Sequence, residues 1–323
     1  MWNIKQFSKM VLVILFIGVL AACGETTDKK SIEANQNVDE SSQKNETVTY
    51  QAANGEIEYA KNPEKIVVVA DSYVGHFIAL GVKPVGISDY AMGNKYFEGE
   101  LDGIESIGDA SNPSVEKILE MNPDLIITFN GAELNEKLEK IAPTIAVNYG
   151  EKDYKEQLKE FGKIIGKEKE ADAWLTNWNR KINESKAKVQ EVVGDKTISI
   201  LSPFSKGIYA YGHNYARGGE IIYGEFELKA PELVQKDAID SGKGWTEFSL
   251  ETLPEFAGDY IFTCPWQENN GDPEDFYGSS LWKELPAVKE GKVFELDTNA
   301  AFFNDPVSLD KQLDFIIESL TTK

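Results

Sequence analysis

The sequence predicts an α/β protein of two similar lobes, each on a mostly parallel sheet, joined by one long rigid α-helix. Short apolar runs alternate with helix-patterned segments on both sides of the middle of the chain. Between those halves, residues 167–193 contain neither Gly nor Pro and carry Ala171, Trp174, Leu175, Trp178, Ile182 and Val189 near helical spacing. Finally, residues 114–128 can be laid on 249–263 at a constant offset, matching Ser, Glu, Glu, Asp, Ile and Thr and preserving helix-then-strand order.

The elements follow in order. Residues 1–22 carry Lys5 and Lys9, then an apolar run, then Leu20-Ala21-Ala22-Cys23. This reads as an export signal, the run being short for a span of roughly 20 residues. The Leu-Ala-Ala-Cys end resembles the bacterial lipoprotein box, which implies cleavage before Cys23 and a lipid-anchored thiol. Residues 23–47 are polar and charged, a flexible tether. In the N-terminal lobe, residues 48–166, strands are predicted at 65–70, 84–87, 124–128 and 144–147, with helices at 73–80, 114–121 and 135–141. The spacer 167–193 ends at Gly194-Asp195, and strands resume at 197–201 in the C-terminal lobe, 194–323. Two similar lobes on a stiff helix leave a cleft, where small ligands bind.

Charge and composition narrow the function. The chain has 323 residues, 54 acidic against 33 basic, and a net charge of −21. That excludes nucleic acid and an anionic lipid face as partners, since both need clustered cations. Cys23 and Cys264 are the two cysteines and His76 and His213 the two histidines, too few for a disulfide framework or a conventional zinc or manganese site. Cys264, in an apolar run, is expected as a buried thiol. No Gly-x-Ser-x-Gly elbow, phosphate loop or post-strand Gly-x-Gly-x-x-Gly occurs, so an enzyme is not expected.

The segments Asn62-Pro63-Glu64-Lys65-Ile66-Val67 and Leu80-Gly81-Val82-Lys83-Pro84-Val85-Gly86-Ile87 mark a family pattern. So do the paired units Pro123-Asp124-Leu125-Ile126 and Gly258-Asp259-Tyr260-Ile261. Together they resemble the iron–siderophore substrate-binding proteins of ABC importers. The stretch Tyr209-Ala210-Tyr211-Gly212-His213-Asn214-Tyr215-Ala216-Arg217-Gly218-Gly219-Glu220 is most similar to the ferric-hydroxamate branch, the ferrichrome- and ferrioxamine-binding lipoproteins. The resemblance implies an extracellular, lipid-anchored, monomeric receptor whose partners are a ferric siderophore and a membrane permease dimer. It implies that Arg217 reaches the hydroxamate oxygens, with Tyr215 packing on the complex where relatives commonly carry Trp. Asn304-Asp305-Pro306 matches a family landmark, preceded here by Ala301, Phe302 and Phe303. Glu116 and Glu251 match the two glutamates, one per lobe, that dock onto permease arginines. Their equivalent places in the repeat support that role, and they also read, compatibly, as helix-start carboxylates behind Ser114 and Ser249 caps.

The residues suit such a ligand. Iron arriving inside a chelator already has its oxygens, so the protein needs no cofactor and no metal ligands of its own. It needs flat apolar surface and a few donors, and 13 Tyr, 16 Phe and 6 Trp supply the surface. Arg180 and Arg217 are the two arginines; Arg180 belongs to the solvated face of the spacer. Arg217, in a Gly-rich loop after an aromatic run, can donate to several oxygens at once. Further candidates at strand ends are Tyr209, Tyr211, Tyr73, Phe129, Trp266 and Phe302, whereas Trp174 and Trp178 are expected to pack the spacer. A single cleft arginine fits a near-neutral ferric tris-hydroxamate better than a trianionic catecholate. Citrate-hydroxamate and catecholate chelates, cobalamin and haem remain the alternatives on the same scaffold.

Overall fold

The computed structural model describes residues 46–204, 206–265 and 273–322. The predicted signal, Cys23, most of the tether and Trp266 lie outside them. The tether ends before Thr47, which already opens a hairpin of β1 (Thr47–Ala52) and β2 (Gly55–Ala60). Five parallel strands follow: β3 (Ile66–Val68), β4 (Gly86–Ile87), β5 (Glu105–Ser106), β6 (Leu125–Phe129) and β7 (Thr144–Val147). Their order is β5-β4-β3-β6-β7. β3 and most of β6 are buried on both faces, which is why they read as continuous apolar runs.

The C-terminal lobe holds β8 (Ile198–Phe204), β9 (Gly207–Tyr211), β10 (Trp245–Phe248), β11 (Tyr260–Thr263) and β12 (Val293–Glu295), ordered β10-β9-β8-β11-β12. β8, β11 and β12 are parallel, but β9 runs antiparallel to both β8 and β10. This sheet is therefore mixed, because β8 turns straight back into β9 where the first lobe inserts a helix.

The internal repeat has a physical role. Asp124 accepts hydrogen bonds from the backbone N–H of Glu64 (2.8 Å) and Lys65 (3.0 Å), fixing the start of β3 beside β6. Asp259 accepts from the N–H (2.8 Å) and hydroxyl (3.1 Å) of Thr197, fixing β8 beside β11 in the same way. The preceding helices diverge. Ser114 caps the helix Val115–Glu120 by accepting the Lys117 N–H. Ser249 forms no such cap, contrary to expectation. Pro254 sits at the start of the helix Leu253–Phe256, so the equivalent segment splits into the 3₁₀ turn Leu250–Thr252 and that short helix. The Ser249 hydroxyl instead bonds Glu251 and holds its carboxyl below the usual range.

The spacer helix runs Glu168–Val193, about 39 Å at 1.5 Å per residue, and Gly194 ends it at a positive φ of 61°. Ala171 and Leu175 enter the N-terminal core, whereas Trp178, Ile182, Val189 and Val193 enter the C-terminal one. One helix thus contributes to both cores, which makes it a strut. Trp174 and Trp178 stack at 5.2 Å, the packing role expected of them. A second tie converges on Glu225: its Oε1 accepts from the Tyr154 hydroxyl, from Lys155 Nζ at 2.5 Å and from Trp178 Nε1 at 3.4 Å. A third is the C-terminal helix Pro306–Thr321, whose Leu309, Leu313, Ile316 and Leu320 fill the C-terminal core. The chain entering that helix lies on the N-terminal lobe, where Phe303 meets Tyr90 and Phe97 and Ser308 accepts from Asn94 Nδ2 at 3.0 Å.

Candidate functional site

β9 delivers Tyr209 and Tyr211, and the chain then folds back through residues 212–219. Ala216 and Arg217 both adopt left-handed φ values, 60° and 56°, a conformation that costs a non-glycine residue energy and persists only when its surroundings impose it. Three contacts impose it here. Arg217 N–H donates to Ala301 carbonyl at 2.8 Å, Ala216 N–H donates to Glu220 Oε1 at 3.0 Å, and Asn304 Nδ2 donates to the same oxygen at 3.0 Å. Gly219 closes the loop so tightly that a Cβ there would stand 2.0 Å from the Gly212 carbonyl oxygen.

The loop sets one guanidinium among aromatic rings. Arg217 Cζ lies 4.1 Å from the ring centre of Tyr211, 4.0 Å from that of Phe302 and 5.8 Å from that of Tyr215. Its Nη1 donates to the Tyr215 carbonyl at 2.9 Å. Tyr211 and Tyr215 stack at 5.9 Å, and Tyr209 adjoins them while packing on Phe204 and edge-on to Trp245. Four predicted residues from two separate stretches of the chain, Tyr211, Tyr215 and Arg217 in one and Phe302 in the other, therefore form one cluster. Arg217 is only 3% exposed, more enclosed than a side chain reaching freely for a ligand. Ala301 lends its carbonyl, while its side chain is buried in the C-terminal core.

The opposing wall comes from the C-terminal ends of three parallel strands. Tyr73 follows β3, Phe129 closes β6 and Tyr149 follows β7, with ring centres 5.6, 5.8 and 6.5 Å apart. Strand ends facing the cleft are what this topology provides. Tyr149 was not foreseen. Tyr149 is 51% exposed as a whole, but enclosure of its hydroxyl pushes that group up to about 12, with Glu220 and Tyr215 adding to the rise and Arg217 opposing it.

Between the walls lies a cavity of about 500 Å³, lined from one lobe by Tyr73, His76 and Tyr149 and from the other by His213, Glu220 and Asn304, among others. Among the predicted ligand residues that are described, only Tyr73 lines it directly. His76 is 2% exposed and burial drives its imidazole down to about 3, so the ring is neutral. Tyr154 and Tyr73 backbone groups lie near it, but neither ring nitrogen meets hydrogen-bond geometry with a partner. Burial raises the Glu220 carboxyl, and the backbone N–H bonds, the Asn304 bond and, least of all, the Arg217 charge partly offset it. Among the described residues no group of three or more His, Cys, Asp or Glu is placed to hold a metal ion, and no helix is long and apolar enough to cross a membrane. Cys264 is buried, as its apolar context predicts. Glu116 and Glu251 are exposed at equivalent places in the repeat, each just ahead of the strand that its partner aspartate anchors.

Two α/β lobes braced by a helix, with an aromatic-walled cleft shared between them, define a ligand-capturing binding protein. Residues 66–300 match the periplasmic binding protein family, and the chain belongs to that family. It is 46% identical to the iron(3+)-hydroxamate-binding protein FhuD of Bacillus subtilis, covering 98% of each chain. A crystal structure from Bacillus subtilis, a FhuD fold-family component of a Fep/Fec-like ferrichrome ABC transporter, is 47% identical. It superposes with a TM-score of 0.80, covering 85% of this chain and all of that one. FhuD2 of Staphylococcus aureus with bound ferrioxamine B is 32% identical, with a TM-score of 0.72 over 80% of this chain and 98% of that one.

Proposed function

We propose that this protein is an extracellular, lipid-anchored receptor that binds ferric hydroxamate siderophores in the inter-lobe cleft and delivers them to an ABC permease. The observation that carries the reading is the Arg217 guanidinium held between Tyr211 and Phe302, opposite the Tyr73–Phe129–Tyr149 wall. A planar donor flanked by rings suits a bulky, near-neutral chelate whose outward groups are oxygens and apolar loops. The relatives named for iron(3+)-hydroxamate binding support the same ligand class. Iron stays within its chelator, and the protein contributes shape, ring faces and hydrogen bonds. Cys23 would carry the lipid, and Glu116 and Glu251 would meet the permease.

The test is quenching of intrinsic fluorescence by ferrichrome, ferrioxamine B, a ferric citrate-hydroxamate, a ferric catecholate, haem and cobalamin. Saturable binding is expected for the hydroxamates. Tight binding confined to the catecholate, haem or cobalamin would overturn the ligand class while leaving the transport role standing.

A further inference from the structure

The cavity between the lobes contains polar atoms that the aromatic cluster does not use. Glu220 is 7% exposed; Ala216 and Asn304 fill its Oε1, whereas its Oε2 accepts no hydrogen bond from any described residue. His213, whose Nδ1 has no partner among the described residues, lines the same space, as does the neutral ring of His76. Buried polar atoms are ordinarily satisfied, so unpartnered ones on residues lining one cavity point to a place where another molecule completes the bonding.

The other charges on the cavity wall are already engaged or stand apart. Glu225 is taken by Tyr154, Lys155 and Trp178, and Asp153 accepts the Lys155 and Glu156 N–H groups at the start of its helix. Lys152 reaches the wall but makes no ion pair with Glu220. Among the acids on that wall, Glu220 is the one whose second oxygen is buried and left without a partner by the described residues. Burial favours the protonated form of Glu220, and a cation placed beside it would hold it ionised, in which state its oxygen accepts and cannot donate and its bonds are charge-assisted. The oxygens of a ferric hydroxamate core are committed to iron, so the missing donor has to come from another part of the ligand.

We propose that this cavity is a second subsite, in which Glu220 Oε2 accepts a cationic N–H, such as a primary ammonium, from an arm of the siderophore while its iron core rests at the Arg217 cluster. The inference rests on the hydroxamate reading. One loop would serve both ends of the ligand: Glu220 Oε1 holds the turn that presents Arg217, and its buried Oε2 remains to accept from an occupant of the cavity that Glu220 lines.

Ferrioxamine B, which ends in a primary amine, and its N-acetyl derivative make the test, because both carry the same iron core. The intact protein is expected to bind the amine about tenfold or more tightly, the range for a hydrogen bond to a charged group. The preference should persist from 0.1 to 1 M NaCl, where the screening length falls from about 10 to about 3 Å, because a buried contact is little screened. Glu220→Gln keeps the shape but turns a donor into the cavity, and should bring the ratio to one or reverse it. A ratio near one in the unmodified protein, a preference lost at 1 M salt, or an unchanged ratio in Glu220→Gln would each overturn the subsite and leave only ordered water there. If that variant does not fold, the salt comparison on the unmodified protein decides. Failure of both ferric complexes to bind would instead remove the hydroxamate reading, and this inference with it.

Discussion

The carboxylate of Asp305 occupies the space that any side chain on Gly75 would need. A Cβ at residue 75 would stand 1.7 Å from Asp305 Oδ1 and 2.2 Å from its Cγ. Asp305 cannot move aside, because Oδ1 caps the C-terminal helix through Val307 and Ser308 N–H and Oδ2 accepts the Ser308 hydroxyl at 2.7 Å. The N-terminal helix Val74–Ala79 and the C-terminal helix Pro306–Thr321 therefore meet backbone to cap. Gly75→Ala is expected to cost about 2–3 kcal/mol, as for overpacking of a rigid site. Thermal unfolding should show it as a drop of several degrees, and an unchanged midpoint would mean the two helices part without penalty.

The same carboxyl makes stability depend on pH. Burial raises Asp305 from 3.8 to about 6, with the Ser308 and Val307 bonds opposing the rise. An acid raised in the folded state binds its proton more tightly there than in the unfolded chain. Its contribution is complete below about pH 4 and is lost as pH climbs through 6. Asp305→Asn keeps a competent cap without the ionisation. Relative to the unmodified protein it should gain stability between pH 4 and 7, by about 2–3 kcal/mol at 1.36 kcal/mol per unit. Denaturant midpoints measured across that range check it, and a constant difference between the two proteins would contradict it.

How much was legible depended on whether the cue was local. β7 lies at 144–147 as predicted and the spacer matches to one residue, because burial on both faces and unbroken helical spacing leave direct marks on composition. The β1–β2 hairpin also carried a mark, alternating Val48, Tyr50, Ile57 and Tyr59 around Asn54-Gly55, that the sequence reading did not use. Asp124 and Asp259 appeared as a repeated letter, and the structure supplies the reason, one strand-pinning carboxylate per lobe. Arg217 was singled out by the family resemblance of its Arg-Gly-Gly stretch and by the rarity of arginine here. His76, Tyr149 and Glu220 were not, because facing a cavity depends on how the two lobes are set against each other, and nothing within a few residues of each encodes that.

Arg217 permits a sharper test than deletion. A lysine keeps the charge but loses the planar face that lies 4.1 and 4.0 Å from the rings of Tyr211 and Phe302 and the fork that holds the Tyr215 carbonyl. Arg217→Lys should weaken ferric hydroxamate binding by about 1.5–3 kcal/mol, close to the loss in Arg217→Ala, because geometry and not charge is what the site uses. Fluorescence titration of both variants, with thermal midpoints to confirm folding, checks it. Full affinity in the lysine variant would reduce Arg217 to a point charge, and full affinity in both would take it out of the site.

Glu116 and Glu251 stand apart from the cleft, and that separation is what their test exploits. Each is exposed at a corresponding point of the repeat, and neither lines the cavity. Their helical settings differ, since Glu116 lies in the first turn of a capped helix and Glu251 in a 3₁₀ turn tied to Ser249. Helix stabilisation alone would then make the two substitutions unequal in stability and silent in transport. Contact with a pseudo-symmetric membrane partner makes the opposite demand, because matching carboxylates on both lobes must reach matching cations together. Glu116→Ala and Glu251→Ala combined should leave siderophore affinity unchanged and stop uptake by cells, with each single change producing a partial loss. Normal uptake by the double variant would return both residues to the role of ordinary solvated carboxylates.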